Sequence, residues 1–257
     1  MKETDKNLKQ QRIKRILFII FLSLVTFYLA LIALFFITLP KVDYLLNENP
    51  TTTAIIEQRK KEAHYMGEEL KLRMEWVDFT QIPKVLKDAV RVSEDVAFYE
   101  HEGIDYFELK ESLKRNLEEG ASVRGGSTIT QQLAKNLFLS TKKSYYRKIK
   151  EFFITRRLEK HLSKERIFCL YLNIIELGKG IFGVGAAAKF YFDWPVSFLN
   201  LEECIRLAAV LPQPLKTDPR SDSRYIKWRG RLILDRLVFY GLITDEQYDL
   251  TITKFQD

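Results

Sequence analysis

The sequence is poor in the residues that thiol and metal chemistry need. Only two cysteines occur in 257 residues, Cys169 and Cys204, too few for a disulfide-dense scaffold or a four-cysteine zinc site. The three histidines, His64, His101 and His161, show no metal-ligand spacing. No GxSxG, HExxH or phosphate-loop signature is present, which disfavours nucleophilic serine, thiol and zinc hydrolases. Alternating strand patterns are nearly absent, and so is any internal repeat. One shortage is local: residues 16–40 hold no charged side chain. The net charge of +7 is also uneven, with +4 in residues 1–15 and only +3 in residues 41–257. A nucleic-acid protein would carry its basic excess on the folded domain, so nucleic acid is excluded as a partner.

The uncharged run, Ile16 to Leu39, has 24 residues. At about 1.5 Å per residue it spans the roughly 30 Å hydrocarbon core of a bilayer with room for tilt. Lys2, Lys6, Lys9, Arg12, Lys14 and Arg15 precede it, and only Lys41 follows closely. The positive-inside rule puts the N-terminus in the cytoplasm and residues 41–257 outside. A cleavable signal peptide has a shorter apolar core, about 7–15 residues, and a small-x-small end. Here the run closes with Thr38-Leu39-Pro40-Lys41, so an uncleaved single-pass anchor is expected. The organisation expected is a cytoplasmic basic tail (1–15), a transmembrane helix (16–39), a connector (40–75) and one all-α globular domain (76–257). Chemistry at an outer membrane surface has little ATP, so polymerisation there needs pre-activated substrates.

Helix signals fill the outer part. A charged helical stretch is expected around Glu57 to Leu72. Leu109, Leu113 and Leu117 repeat at four-residue spacing, with Gly120 closing that helix. Ser127 is the expected N-cap of a helix carrying Ile129, Leu133 and Leu137. Ser163 caps another, with Ile167, Leu170, Tyr171 and Ile174 on one face. Asn200 with Glu203 reads as a capping box, and that helix stops at Pro212. A helix from Arg224 to Tyr240 ends at Gly241, and Thr244 with Gln247 opens a last one. Both cysteines fall on apolar helical faces and read as small buried hydrophobes.

Four blocks carry groups for chemistry. Glu94-Asp95 interrupts an apolar stretch. A carboxylate among apolar neighbours holds its proton more tightly, which suits proton transfer near neutral pH; the other reading is a helix-end salt bridge. Arg124-Gly125-Gly126-Ser127-Thr128 leads into a helix whose free N–H groups favour an anion, with Lys135 one or two turns on. It reads as a phosphate or sugar site, or as an ordinary turn and cap. Arg147-Lys148-Ile149-Lys150-Glu151 is either a solvated basic face or a pyrophosphate grip. Tyr171-Leu172-Asn173 and the glycines and alanines from Gly178 to Ala188 read as close packing.

Taken in order, the blocks resemble the peptidoglycan glycosyltransferase family, shared by monofunctional transglycosylases and the N-terminal domains of bifunctional penicillin-binding proteins. The resemblance covers about residues 76–220. It rests on Glu94-Asp95-x-x-Phe98-x-x-His101-x-Gly103, then Gly125-Gly126-Ser127-Thr128-Ile129-Thr130-Gln131-Gln132, then Arg147-Lys148-x-x-Glu151. Tyr171-Leu172-Asn173 with Gly178, Gly180 and Gly183 follows, and Leu207 to Pro214 is the fifth block. No SxxK, SxN or KTG signature of a transpeptidase follows, so the monofunctional type is the one resembled.

The resemblance implies a lysozyme-like α fold and a lipid II substrate, joined in β-1,4 linkage with inversion and release of undecaprenyl pyrophosphate. Glu94 matches the family's base. Glu151 matches its second glutamate, which assists near the pyrophosphate. Lys135, Arg147, Lys148 and Lys150 are the cations available to the leaving group, and Ser127, Thr128, Gln132 and Asn136 the candidate contacts to sugar or phosphate. His101 is expected to support the first block by hydrogen bonding. No organic cofactor is implied, and a divalent metal ion, Mg or Mn, is left open. Partners implied are the membrane, lipid II, the growing glycan, and other cell-wall synthesis and division proteins of a bacterial cytoplasmic membrane. One position departs from the family: Cys169 stands where an acidic residue is common. Two rival readings follow, a non-catalytic lipid II-binding or scaffold protein, and a membrane-bound lysozyme-like enzyme that cleaves glycan. The latter would have no need of the basic grip.

Overall fold

A computed structural model describes residues 2–118, 126–142 and 144–256. Gly120, Arg124 and Gly125, which carry parts of the expected helix end and glycine-rich block, lie outside the described residues. The chain divides into two units, Met1–Lys41 and Val42–Asp257. The first is one helix, α1 (Lys2–Ile37). Its stretch Arg12–Ile37 has 26 residues, and an 18-residue window within it has a mean hydropathy of 2.8, so it is long and apolar enough to cross a membrane. The helix stops two residues short of the expected Leu39. Pro40 biases the residue before it away from helical geometry, so the last turn unwinds ahead of it.

In the second unit the residues from 42 to 75 build part of the fold. Helix α2 (Ala54–Tyr65) has Thr53 as its N-cap, the hydroxyl accepting from the Ile56 N–H. It ends at Tyr65, well before Leu72, and Gly67 turns the chain with φ +68°. Ile55 and Ile56 are buried against Phe182, with Met74 alongside. Arg59 donates two hydrogen bonds of 2.8 Å to the Glu176 carboxylate, a forked pair that fixes this helix to the sheet.

That sheet is small. Strand β1 (Arg73–Met74) runs parallel to β3 (Ile181–Phe182), and β2 (Glu176–Gly178) pairs antiparallel on the other side of β3. The remaining elements are α-helices: α3 (Lys84–Glu94), α4 (Tyr106–Glu118), α5 (Ile129–Phe138), α6 (Tyr145–His161), α7 (Lys164–Ile174), α8 (Val184–Phe192), α9 (Leu201–Val210), α10 (Arg224–Phe239) and α11 (Asp245–Ile252). Among the described residues the domain is otherwise helical, with short 3₁₀ turns at Asp43–Leu46, Val196–Phe198 and Thr253–Phe255. Its helices pack in two groups, α3 with α9 and α10, and α5 with α6, α7 and α2.

Local signals set most helix ends. Ser163 caps α7, and Asn200–Glu203 and Thr244–Gln247 form capping boxes on α9 and α11. The first residue of α5 is set differently from expectation. Thr128, not Ser127, is its N-cap, because Gln131 three residues on returns a side-chain hydrogen bond to the Thr128 N–H. Cys169 and Cys204 are buried free thiols. Burial, with the Glu203 charge adding, pushes the Cys204 thiol up to about 12.

The Tyr171-Leu172-Asn173 block is structural at its asparagine. Asn173 accepts from the Val77 N–H at 2.7 Å and donates to the carbonyls of Val77 and Cys169 at 2.9 Å. A fully buried amide thus stands in for a strand partner. Gly183 completes this contact. Its φ of +80° and ψ of 153° lie in a region open essentially to glycine alone, and a Cβ there would sit 2.3 Å from the Asn173 carbonyl oxygen. Gly183→Ala is therefore expected to destabilise the domain by more than about 2 kcal/mol, read as a lower midpoint in denaturant unfolding followed by circular dichroism. An unchanged midpoint would show that the backbone can relax around the methyl group.

Candidate active site

Helix α3 ends where two acidic residues point in different directions. Asp95 turns inward and its side chain is almost fully buried. One oxygen lies 2.9 Å from His101 Nε2, and the other accepts from the Ile129 N–H at 2.9 Å. His101 Nδ1 accepts from the Gly103 N–H at 3.0 Å, so the ring proton must be on Nε2, donated to Asp95. Thr128 donates to the Gly103 carbonyl at 2.6 Å while accepting from Gln131. The first block and the start of α5 are thus one hydrogen-bonded unit. His101 supports the block by hydrogen bonding, as expected.

This unit changes the reading of the α5 N-terminus. The dipole there does attract an anion, but the anion is the protein's own Asp95. The Thr128 hydroxyl also has both of its roles filled within the protein. Ser127 is half-buried and open to the cleft beside it.

Glu94 faces that cleft, a cavity of about 560 Å³ that Ser127, Thr128 and Gln132 also line. Of the two readings of the pair, Glu94 takes the helix-end salt bridge rather than the apolar setting. Ser93 Oγ donates to Oε1 at 3.1 Å, Arg229 Nη2 donates to the same oxygen at 3.1 Å, and Gln132 Nε2 donates to Oε2 at 3.0 Å. All three partners are donors, as a carboxylate requires. Gln132 is itself held, because the Tyr171 hydroxyl donates to its Oε1 at 3.0 Å. Burial, with the charges of Glu94 and Asp95 adding, raises Tyr171 well above the usual tyrosine range. It therefore stays a donor, and this fixes which way the Gln132 amide points.

Arg229 was not among the residues expected at the site, and neither were Trp228, Arg236 and Tyr240, all of α10 or just past it and all on the cleft wall. One signal was available. Ile226, Gly230, Ile233 and Leu237 form the buried stripe of α10, and Arg229 stands three residues after Ile226 and four before Ile233. A cation on an apolar stripe implies a buried partner. Arg236 also reaches α3, donating to the Val92 carbonyl at 2.6 Å near the helix C-terminus.

The expected cations form a second cluster that does not line this cavity. Glu151, only 3% exposed, accepts from Arg147 Nη1 at 2.8 Å on one oxygen and from Lys148 on the other. Lys148 also lies 3.4 Å from Ser127 Oγ, which joins the cluster to the cleft side of α5. The Lys135 ammonium makes no hydrogen bond among the described residues. Burial lowers its pKa, the Glu151 charge opposes this, Arg147 and Lys148 lower it further, and Glu94 raises it. Lys150 stands over the Tyr146 ring at 5.0 Å, and Asn136 is half-buried on α5.

A divalent ion finds no ready seat at Glu151, whose two oxygens are both taken by cations. One group of metal-ligand type occurs among the described residues, Asp95, His101 and Asp105, with ligand atoms within 4.8 Å of one another. Its atoms are already engaged: Asp95 and His101 as above, and Asp105 Oδ1 by the Glu108 N–H at 2.8 Å. Both ring nitrogens of His101 are taken, so a resident metal does not fit without breaking its bond to Asp95 or to the Gly103 N–H.

Residues 61–238 match the family model described as Transglycosylase. The chain is similar to the biosynthetic peptidoglycan transglycosylase of Nitrosomonas eutropha, 43% identical over 196 residues that cover 76% of this chain and 80% of the relative. It is 39% identical over 212 residues to the protein of the same description from Nitrosospira multiformis, covering 82% and 92% of the two chains. Among solved structures, penicillin-binding protein 1A from Haemophilus influenzae shares 20% identity, with 70% of this chain and 17% of that one covered and a TM-score of 0.40.

The lysine geometry has a measurable consequence. Lys135 should lose its proton at lower pH than an ordinary lysine. In NMR of ¹³C-dimethylated protein its resonance, identified by its absence in Lys135→Met, should titrate below the other lysines. Glu151→Gln should lower it again, because the Glu151 charge is the largest one holding that proton. The linked sign is that stability rises with pH between the lowered value and the ordinary 10.5. A Lys135 titration at or above 10.5 would contradict the buried setting.

Proposed function

The chain belongs to the transglycosylase family and is a peptidoglycan glycosyltransferase; on that premise we propose that it polymerises lipid II into β-1,4-linked glycan, with inversion at the donor carbon and release of undecaprenyl pyrophosphate. Glu94 is the general base, taking the proton of the acceptor 4-hydroxyl as that oxygen attacks. Gln132 and Arg229 hold its carboxylate from two separate helices, so the base meets the substrate in one geometry. The observation that supports this reading best is that Glu94 faces a cleft and is fixed there entirely by donors.

The leaving group is a pyrophosphate and needs cations. Lys135, Arg147 and Lys148 form that grip, with Ser127 at its border toward the cleft. Glu151 acts by holding Arg147 and Lys148 in place; its two oxygens are committed to them and do not transfer protons. The grip keeps a net positive charge after Glu151 is counted, which separates this site from that of a glycan-cleaving enzyme. Lys150 and Asn136 are second contacts along the same helices. Inversion requires attack on the face opposite the leaving pyrophosphate, as in inverting glycosidases. The separation of the Glu94 cleft from the cation cluster suits that arrangement.

The apolar helix Arg12–Ile37 anchors the chain in the bacterial cytoplasmic membrane. The basic N-terminal segment stays in the cytoplasm and the catalytic domain works outside, where lipid II presents an already activated sugar.

The test is polymerisation of labelled lipid II by the full chain in detergent. Wild type should give polymer that lysozyme digests. Glu94→Gln should lower the rate by about 10²- to 10⁴-fold, the usual contribution of a positioned acid–base group, while lipid II binding persists. Equal polymer from both proteins would remove Glu94 as the base.

A further inference from the structure

The two walls of the Glu94 cleft differ in chemistry. One, from outside α10, brings the oxygens of Glu94, Asp105 and Ser127 together with Val92 and Val96. The other comes from α10 and its end, and carries Trp228 and Tyr240 beside Arg229. Trp228 is 58% exposed although it immediately precedes the arginine that grips Glu94. Its ring is backed by Tyr225 at 6.0 Å, tilted by 53°, so the indole is supported from its own helix. A single exposed tryptophan needs no explanation on an ordinary surface. Here it lines the same cavity as the base.

A β-linked glycan ring has the matching two-sided character. Its equatorial hydroxyl rim is polar, and its axial C–H bonds make an apolar face. Such a ring fits between a wall of oxygens and an aromatic plate, with its hydroxyls toward the carboxylate side. The geometry points to Trp228 as a stacking platform for a sugar ring of the glycan adjacent to Glu94, a ligand contact distinct from the cation cluster that takes the pyrophosphate. This inference rests on the glycosyltransferase reading for the identity of the sugar. Trp228 touches substrate through dispersion and C–H contacts with the ring face and moves no proton. Its effect is on ring placement and therefore on glycan affinity.

The probe is a soluble, fluorescently labelled GlcNAc–MurNAc tetrasaccharide without lipid or pyrophosphate, titrated by polarisation against the full chain in detergent. Wild type should bind it. Trp228→Ala should raise the half-saturation concentration by roughly three- to tenfold, the range of an aromatic contact. Trp228→Phe should recover most of the loss. Trp194→Ala removes an equally exposed tryptophan (56%) that does not line the cleft, and should bind as wild type. Equal thermal unfolding of wild type and Trp228→Ala would establish that the change is local.

No binding by wild type, or equal binding by wild type and Trp228→Ala, overturns the platform. Displacement of the tetrasaccharide by inorganic pyrophosphate from wild type and variant alike would move the anchor to the cations and overturn it as well. Lipid II polymerisation by the same wild-type preparation separates the two levels. Polymer formation with no Trp228 dependence of binding sinks the platform alone. Absence of polymer with a clear Trp228 dependence sinks the polymerase reading and leaves a glycan-binding cleft.

Discussion

The carboxylate of Asp95 joins the end of α3 to the start of α5, and the cleft depends on that junction. One oxygen takes the His101 ring proton and the other the first N–H of α5. Asp95 and Ile129 are buried and His101 is half-buried, where a charged acceptor is worth more than in water and a missing one costs more. The junction places Glu94, the preceding residue, at a helix end that cannot swing freely. It also uses the positive pole of α5 internally. One free N–H of that helix end is already taken by Asp95, and the proposed grip on a phosphate rests on Lys135, Arg147 and Lys148.

Two electrostatic arrangements then lie along α5, where Gln132 holds Glu94 and Lys135, three residues on, stands by Glu151. At Glu94 a single carboxylate is surrounded by donors, one of them the Arg229 guanidinium. At Glu151 a single carboxylate holds two cations and stands near a third, whose ammonium has no hydrogen bond among the described residues. In each place the buried charge is partnered, as burial demands. The excess is what differs. The first place is close to neutral and opens to a cleft; the second is left positive and hydrogen-bonds back to Ser127. The proposed proton removal and leaving-group stabilisation need those two different fields, and α5 contributes to both through Gln132 and Lys135.

How much of this was legible depended on the range of the interaction. The capping boxes at Asn200 and Thr244 are three-residue patterns and read directly. The same rule picks Thr128 over Ser127, because the glutamine that answers the cap is three residues after Thr128. The hydrophobic stripe Ile129, Leu133, Leu137 and the stop at Gly241 were equally local. What could not be read is contact across the chain. Glu94 and Arg229 are 135 residues apart, so the sequence offered a helix-end salt bridge as one reading of the acidic pair but could not name its partner. Tyr171 reads as packing until its hydroxyl is seen on Gln132. The α5 N-terminus read as an open anion site, because the carboxylate that fills it comes from another helix.

Cys169 shows how a departure at one position can spare the chemistry next to it. The thiol is on α7, two residues before Tyr171, and is buried with its sulfur 3.7 Å from the Asn173 amide nitrogen. Burial raises it above the usual thiol range, with Arg166 and Asn173 opposing. An acidic side chain at this point would face Arg166. That guanidinium has other acceptors, however: the carbonyls of Leu45 and Glu48 at 2.7 Å and Asn49 Oδ1 at 2.9 Å, with the Trp76 ring at 5.6 Å. The cation is therefore satisfied without the acid, and a thiol in its place leaves no buried charge unpaired. Tyr171 still reaches Gln132, and Gln132 still reaches Glu94. The thiol changes the footing of the Tyr-Leu-Asn segment and leaves the contacts of Glu94 as they are.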